Sequence, residues 1–215
     1  MRAIIFDFDG TIADSFDTVV KIAYELTGKP QLSNVELVKF YRDQHHNGLK
    51  EAMHKLELQP WKWPWLLHRG KLKMSKIMHH VPIFPGLAQV LKHLAQDEHY
   101  ELYIVSTNST KNVERFLLEK GLLTYFRQVY GGAGLLNKAH LIKKVLHKRH
   151  LQPAETVYVG DEVRDVVAAK SLDMPCIAVT WGYNSAELLE TSSPTLVAHT
   201  TAQLEKMLIE WGRTI

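Results

Sequence analysis

The sequence contains a single cysteine, Cys176, in 215 residues. One thiol cannot close an internal disulfide, so a small disulfide-stapled fold is excluded and nothing points to an oxidising compartment. Flanked by apolar residues, it is expected as a buried core thiol. Net charge is also scarce, with 26 Lys and Arg against 23 Asp and Glu for a formal +3. That balance demands no polyanionic partner, and no nucleic acid is expected as one, whereas small anionic substrates are compatible with it. Long apolar runs are missing as well. No stretch reaches the roughly 18 uninterrupted apolar residues of a membrane span, and the run Ala3 to Phe6 is broken by Asp7 too early for a signal peptide. Internal repeats, low-complexity tracts and lipidation signals are not found. The expectation is a cytoplasmic chain that does not engage a membrane.

What is present suits a folded globular protein: 46% hydrophobic and 23% charged residues, enough to bury a sizeable core. Short apolar runs recur, each followed by a turn and then by residues at helical spacing, which predicts a parallel sheet wrapped by helices. The predicted strands are Ala3 to Phe6, Leu102 to Val105, Gln128 to Tyr130, Thr156 to Val159 and Cys176 to Thr180. Helical faces are read from Leu87, Val90, Leu91 and Leu94, from Val113, Phe116 and Leu117, and from Leu141, Ile142, Val145 and Leu146. Gly121 is expected to cap the second of these, and a last helix carries Leu204, Leu208 and Trp211.

The first two strands are separated by far more chain than one crossover helix requires, and the excess has helical patterning. Ser33 and Glu36 stand at capping-box spacing before one helix, Leu49, Met53 and Leu56 suggest another, and Leu66 through Met78 a third. The fold class expected is therefore α/β, a Rossmann-like doubly wound parallel sheet with a small inserted all-helical cap. The core would comprise residues 1–15 and 83–215 and the cap residues 16–82, with Pro82, Pro85 and Gly86 as breakers at the return.

Ligands of such sheets bind outside the carboxyl ends of the strands. Asp7, Asp9, Gly10 and Thr11 follow the first predicted strand, and Ser106, Thr107 and Asn108 the second. Lys138 opens the helix beyond the third, and Gly160, Asp161 and Asp165 follow the fourth. Asp7 and Asp9, flanking one aromatic, repel each other unless a cation or shared proton compensates. A hard divalent ion such as Mg2+ suits carboxylates at neighbouring strand ends, and Lys138 supplies the other positive charge that a phosphate dianion needs to approach an anionic nucleophile.

In order along the chain, the Asp7 to Thr11 stretch, the Ser106 strand end, Lys138 and the Gly160 to Asp165 segment resemble the four motifs of the haloacid dehalogenase superfamily. Asp14-Ser15, Phe84-Pro85-Gly86 and Val179 to Tyr183 are similar to its phosphoglycolate-phosphatase-like branch. The resemblance implies a phosphatase acting on a small phosphorylated metabolite, as a monoester, with Mg2+ as cofactor, in a monomer or homodimer. It implies Asp7 as nucleophile and Asp9 as general acid and then base, with the Asp9 carbonyl also on the metal. Ser106 with the following amide would bind phosphate, as would Thr107 and Asn108. Lys138 would steady nucleophile and phosphate, and Asp161 and Asp165 would complete the metal site. An acid at position 9 favours phosphate esters, because dehalogenases and phosphonatases of the superfamily lack one there. Lys138 departs from the common pattern in being followed by Ala139 and not by proline, which keeps Lys143 and Lys144 as alternatives. The same motifs would serve a phosphomutase of the β-phosphoglucomutase type, and a catalytically idle partner-binding member is the reading from another class.

In the insertion, Arg42 and His46 are candidates for reading the leaving group, by position and polarity. The His45-His46 and His79-His80 pairs lack the Cys/His spacing of a zinc site. Trp61, Trp63 and Trp65 are expected to pack under the cap helices around Pro64. Lys71, Lys73 and Lys76 are expected on a solvated helix face, and Gly131, Gly132 and Gly134 in a flexible turn.

Overall fold

The first strand, β1 (Arg2–Phe6), feeds two cores at once. Ile4 and Phe6 enter one apolar cluster, while Ala3 and Ile5 enter the other, because successive strand side chains point to opposite faces. In this computed structural model, which describes residues 1–28, 60–132 and 138–213, the same division runs through the sheet. Leu102 and Ile104 of β2 (Tyr100–Val105), Val157 and Val159 of β4 (Thr156–Gly160), and Ile177 and Val179 of β5 (Cys176–Val179) face the first cluster. Tyr103, Tyr158 and Cys176 face the second. Burial on both sides explains why these strands read as continuous apolar runs without alternation.

Six strands form one sheet in the order β3-β2-β1-β4-β5-β6, with every pairing parallel; β3 is Gln128–Tyr130 and β6 Leu196–Ala198. Helices cover both faces. Elements α3 (Leu87–Gln96), α4 (Thr110–Glu119) and α8 (Thr201–Arg213) supply Leu91, Phe116 and Leu204 to the first cluster. Elements α5 (Lys138–Arg149), α6 (Val163–Lys170) and α7 (Ala186–Thr191) supply Val145, Val166 and Leu189 to the second. Cys176 is buried and free, as a core thiol should be.

Between β1 and α3 lie α1 (Phe16–Thr27) and α2 (Trp63–Ile77), which pack on each other and are tied by a Lys73–Glu25 ion pair of 2.7 Å. The helices expected around Ser33 and Leu49 lie outside the described residues. The outgoing and returning chains are stitched together. Ala13 and Ile83 form an antiparallel bridge, Asp14 N donates to Pro82 O at 2.9 Å and Phe84 N to Ile12 O at 3.3 Å.

Several local expectations meet particular outcomes. Gly121 takes φ +69 immediately beyond α4, the left-handed conformation expected of a cap. Strand β6 and helix α7 escaped the sequence reading. Both are short, and β6 is an edge strand whose Leu196 is part-exposed, held by its register with β5 (Ile177 opposite Leu196) more than by its own pattern. The tryptophan expectation is corrected: Trp61 and Trp65 are 70% and 50% exposed, so these indoles do not pack beneath a helix. Pro64 sits in the first turn of α2, where a missing N–H is harmless, so the segment starts a helix and leaves Trp65 on its outer side. Gly131 is more constrained than a flexible turn, since a Cβ there would lie 2.2 Å from Thr110 N.

Candidate active site

Strand order reverses between β1 and β4, which neighbour each other although β2 and β3 intervene in the chain. The crevice at such a reversal is where open α/β sheets bind ligands. Asp7 leaves β1 at this point, its N–H donating to Val159 O of β4 at 2.8 Å. Phe8 is driven into the core, edge-on to Phe116 at 5.1 Å, so the acids on either side of it are left at the strand end. The chain then turns tightly, with Ile12 N and Ala13 N both donating to Phe8 O at 2.9 Å.

Asp7, Asp161 and Asp165 each present a carboxylate oxygen, and these atoms lie within 4.8 Å of one another. Lys138, at the start of α5, places Nζ 2.7 Å from Asp7 Oδ2 and donates also to Asp165 Oδ1. All four side chains are buried. Lys143 and Lys144 point to solvent, so Lys138 is the lysine that reaches the acids, proline or not. Asp165 is held from its other side by Glu162 N at 3.2 Å, in the first turn of α6. Asp161 accepts from Thr11 Oγ1 at 2.6 Å and from Tyr183 N at 2.8 Å.

Three glycines make this packing possible. A Cβ on Gly10 would lie 2.1 Å from Asp161 Oδ2, one on Gly182 2.2 Å from the same atom, and one on Gly160 2.4 Å from Asp165 Oδ2. Gly10 also takes φ +82, a conformation side-chain-bearing residues rarely adopt.

Burial without full compensation sets the electrostatics. Desolvation, reinforced by Asp165, raises Asp7 to about 7 against the pull of Lys138. Asp161 is pushed well above the carboxylate range by burial and by Glu162, Asp7 and Asp165. For Lys138, burial works against the ammonium, yet the attraction of Asp165 and Asp7 outweighs it and raises the pKa. One ammonium among three close carboxylates leaves negative charge to be matched, and an all-oxygen donor set of this kind could hold a hard divalent cation.

Asp9 stands apart from that cluster. Its Oδ1 accepts from Ser15 Oγ at 3.0 Å and its Oδ2 from Asn108 Nδ2 at 3.2 Å, while burial raises its pKa. Ser106 is fully buried at the end of β2, its N–H donating to Tyr130 O and its Oγ accepting from Asn108 N, both at 2.9 Å. Asn108 thus contacts Asp9 directly, and Thr107 is half-buried beside it. Arg42 and His46 lie outside the described residues. Sequence reasoning did not single out Ser15, Glu162, Arg164 or Tyr183. Arg164 pairs with the buried Glu162, and its charge pulls against the rise in pKa that burial imposes on both Asp7 and Asp9. All four lie inside segments that carry the family resemblance, but a motif does not reveal where a side chain points.

Fold and site together define a Rossmann-like α/β protein with a carboxylate–lysine centre at its topological switch point. Residues 4–179 match the family model of haloacid dehalogenase-like hydrolases, and the chain belongs to that family. It is 34% identical over 204 residues to a phosphoglycolate phosphatase of Synechococcus elongatus, covering 95% of each chain. A phosphoglycolate phosphatase of Vibrio vulnificus is 27% identical, covering 95% of this chain and 94% of its own. Among solved structures, a haloacid dehalogenase-like family protein of Streptococcus pneumoniae superposes with a TM-score of 0.80 at 20% identity, over 97% of this chain and 98% of that one. The structural likeness establishes the shared fold. Among the described residues, no helix is long and apolar enough to cross a membrane.

Proposed function

We propose that this protein is a magnesium-dependent phosphatase that hydrolyses a small organic phosphate monoester through Asp7, with 2-phosphoglycolate the first substrate to try. The observation that carries the reading is the Asp7 carboxylate held 2.7 Å from Lys138 Nζ inside a buried acid cluster at the switch point. The names of the relatives support the substrate class.

In this reading Asp7, Asp161 and Asp165, with the Asp9 carbonyl, would hold Mg2+, whose charge would offset that of the phosphate oxygens. Asp7 Oδ attacks phosphorus, an aspartyl phosphate forms and the ester P–O bond breaks. Asp9 gives its proton to the departing alkoxide oxygen, then removes one from the water that cleaves the Asp7–phosphorus bond, regenerating both acids. Lys138 keeps Asp7 oriented and offsets charge on the incoming phosphate. Ser106, Thr107 and Asn108 line the β2 end, where a phosphate oxygen can be bound. Residues 16–82 are proposed as a helical cap over a core of residues 1–15 and 83–215, supported by the pairing of α1 with α2 and by the stitched linkers. Arg42 and His46 of that cap are proposed to contact the leaving group.

The test is phosphate release from a panel of phosphometabolites, including 2-phosphoglycolate, with Mg2+ and with EDTA, for wild type and Asp7→Asn. Magnesium-supported release of phosphate and alcohol in equal amounts, lost in the variant, is expected. Transfer of the phosphoryl group to a sugar would make the protein a mutase. An Asp7→Asn protein as active as wild type would overturn the role of Asp7.

A further inference from the structure

Ser15 lies at the point where the chain enters α1, fully buried, yet its hydroxyl makes no capping bond to that helix. Instead Oγ donates to Asp9 Oδ1 at 3.0 Å and stands 2.9 Å from Tyr183 OH. A serine hydroxyl has one proton, and with that proton on Asp9 the phenol must be the donor to Ser15 Oγ. The order is therefore Tyr183 OH to Ser15 Oγ to Asp9 Oδ1. Tyr183 is tied at its other end, since its backbone N–H donates to Asp161 Oδ2 at 2.8 Å. Its ring packs edge-on to Phe16 at 5.2 Å, in a cluster with Val20 and Tyr24, so it fills the inward face of α1.

Tyr183 thus touches the seat of the inserted helix, a carboxylate of the acid cluster and, through one hydroxyl, Asp9. We infer that Tyr183 and Ser15 are positioning residues, a two-hydroxyl relay from the core to the entrance of α1 that sets the Asp9 carboxyl in the geometry for protonating the leaving oxygen. The inference rests on Asp9 being the general acid of the phosphatase reading. It extends that reading by making proton delivery depend on α1 being seated against the Tyr183 ring. Small displacements of a proton donor are costly to rate, because the donor must lie within hydrogen-bond reach of the atom it serves.

The experiment compares leaving groups. An alkoxide needs a proton to depart, whereas p-nitrophenolate leaves as a stable anion, so only the alkyl ester reads proton delivery. Tyr183→Phe keeps the ring on Phe16 and removes the phenol, and Ser15→Ala removes the middle hydroxyl. For each, kcat/KM with 2-phosphoglycolate or glycerol phosphate, whichever the wild type turns over faster, is expected to fall about 10- to 100-fold. With p-nitrophenyl phosphate the change stays under about 3-fold, and the double variant is no worse than the more damaged single one, since both break the same chain. Half-activating Mg2+ concentration stays at the wild-type value, which separates the relay from an effect through Asp161. Equal losses on both esters, or no loss on either, overturn the inference while leaving the phosphatase reading intact. A wild-type protein that releases phosphate from no ester of the phosphometabolite panel, nor from p-nitrophenyl phosphate, with Mg2+ overturns both.

Discussion

Replacing Lys138 with methionine keeps most of the stem and deletes the one ammonium that the described residues place among Asp7, Asp161 and Asp165. Both Lys138 and Asp7 are about 4% exposed, so water can replace little of the lost interaction. Removing one partner of a buried pair strands the other charge, at about 3–5 kcal/mol. With a urea m-value of about 2 kcal/mol/M, the midpoint of the metal-free variant should fall by about 1.5–2.5 M at pH 8. The sign with pH follows from Asp7, whose pKa in the fold is already raised from 3.8 to about 7 by burial. Without Lys138 it rises further, so near pH 5 the folded variant holds a neutral carboxyl and the deficit should shrink to under about half its size at pH 8. The assay is urea unfolding followed by tryptophan fluorescence, in EDTA, at pH 5 and pH 8. A deficit below about 1 kcal/mol, or one equal at the two pH values, would refute the view that this lysine balances a buried acid cluster.

Three further outcomes are expected. In EDTA the contribution of Asp7 to stability is present below its unfolded pKa of 3.8 and lost as pH rises through about 7, on the order of 4 kcal/mol. Added Mg2+ should therefore raise Tm more at pH 8 than at pH 5 in thermal scans, and an equal rise would contradict this. Gly182→Ala places a Cβ 2.2 Å from Asp161 Oδ2, displacing that carboxylate; a Mg2+ titration of activity should show affinity weaker by about 10- to 100-fold, and an unchanged curve would count against Asp161 as ligand. Phe116→Ala removes the ring on which Phe8 leans and should cost about 3–5 kcal/mol in urea unfolding; a loss under about 1 kcal/mol would show that the core collapses around the gap.

The strands whose apolar runs face two cores were legible because full burial on both sides leaves an unbroken hydrophobic stretch, as in Ile4 to Phe6 and Val157 to Val159. Edge strand β6 was not, since Leu196 faces outward and pairing with β5 does what its own sequence does not. The tryptophans misled for a related reason. Their hydrophobicity suggested burial, but Pro64 opens a helix that leaves Trp65 outside. Asp7, Asp161, Asp165 and Lys138 stood out because acids and a lysine fell at the ends of apolar strands or at the start of the following helix. Ser15 and Tyr183 did not, because a hydroxyl reads alike in a turn, a cap or a relay.

The residues in order marked the strands buried on both faces and the helices with a clear apolar face, and indicated that charged groups would gather at one edge of a parallel sheet, since these follow from local periodicity and from the rule that strand ends face the crevice. Only the tertiary structure decided which ends meet. Thr11 and Asp161, 150 positions apart, are joined because β4 inserts beside β1 and not beside β3. The raised pKa of Asp7, the close packing of Gly10 and Gly182 on Asp161, and the path from Tyr183 to Asp9 arise from that adjacency. Desolvation and contact depend on what surrounds a side chain in space, and chain order carries no measure of either.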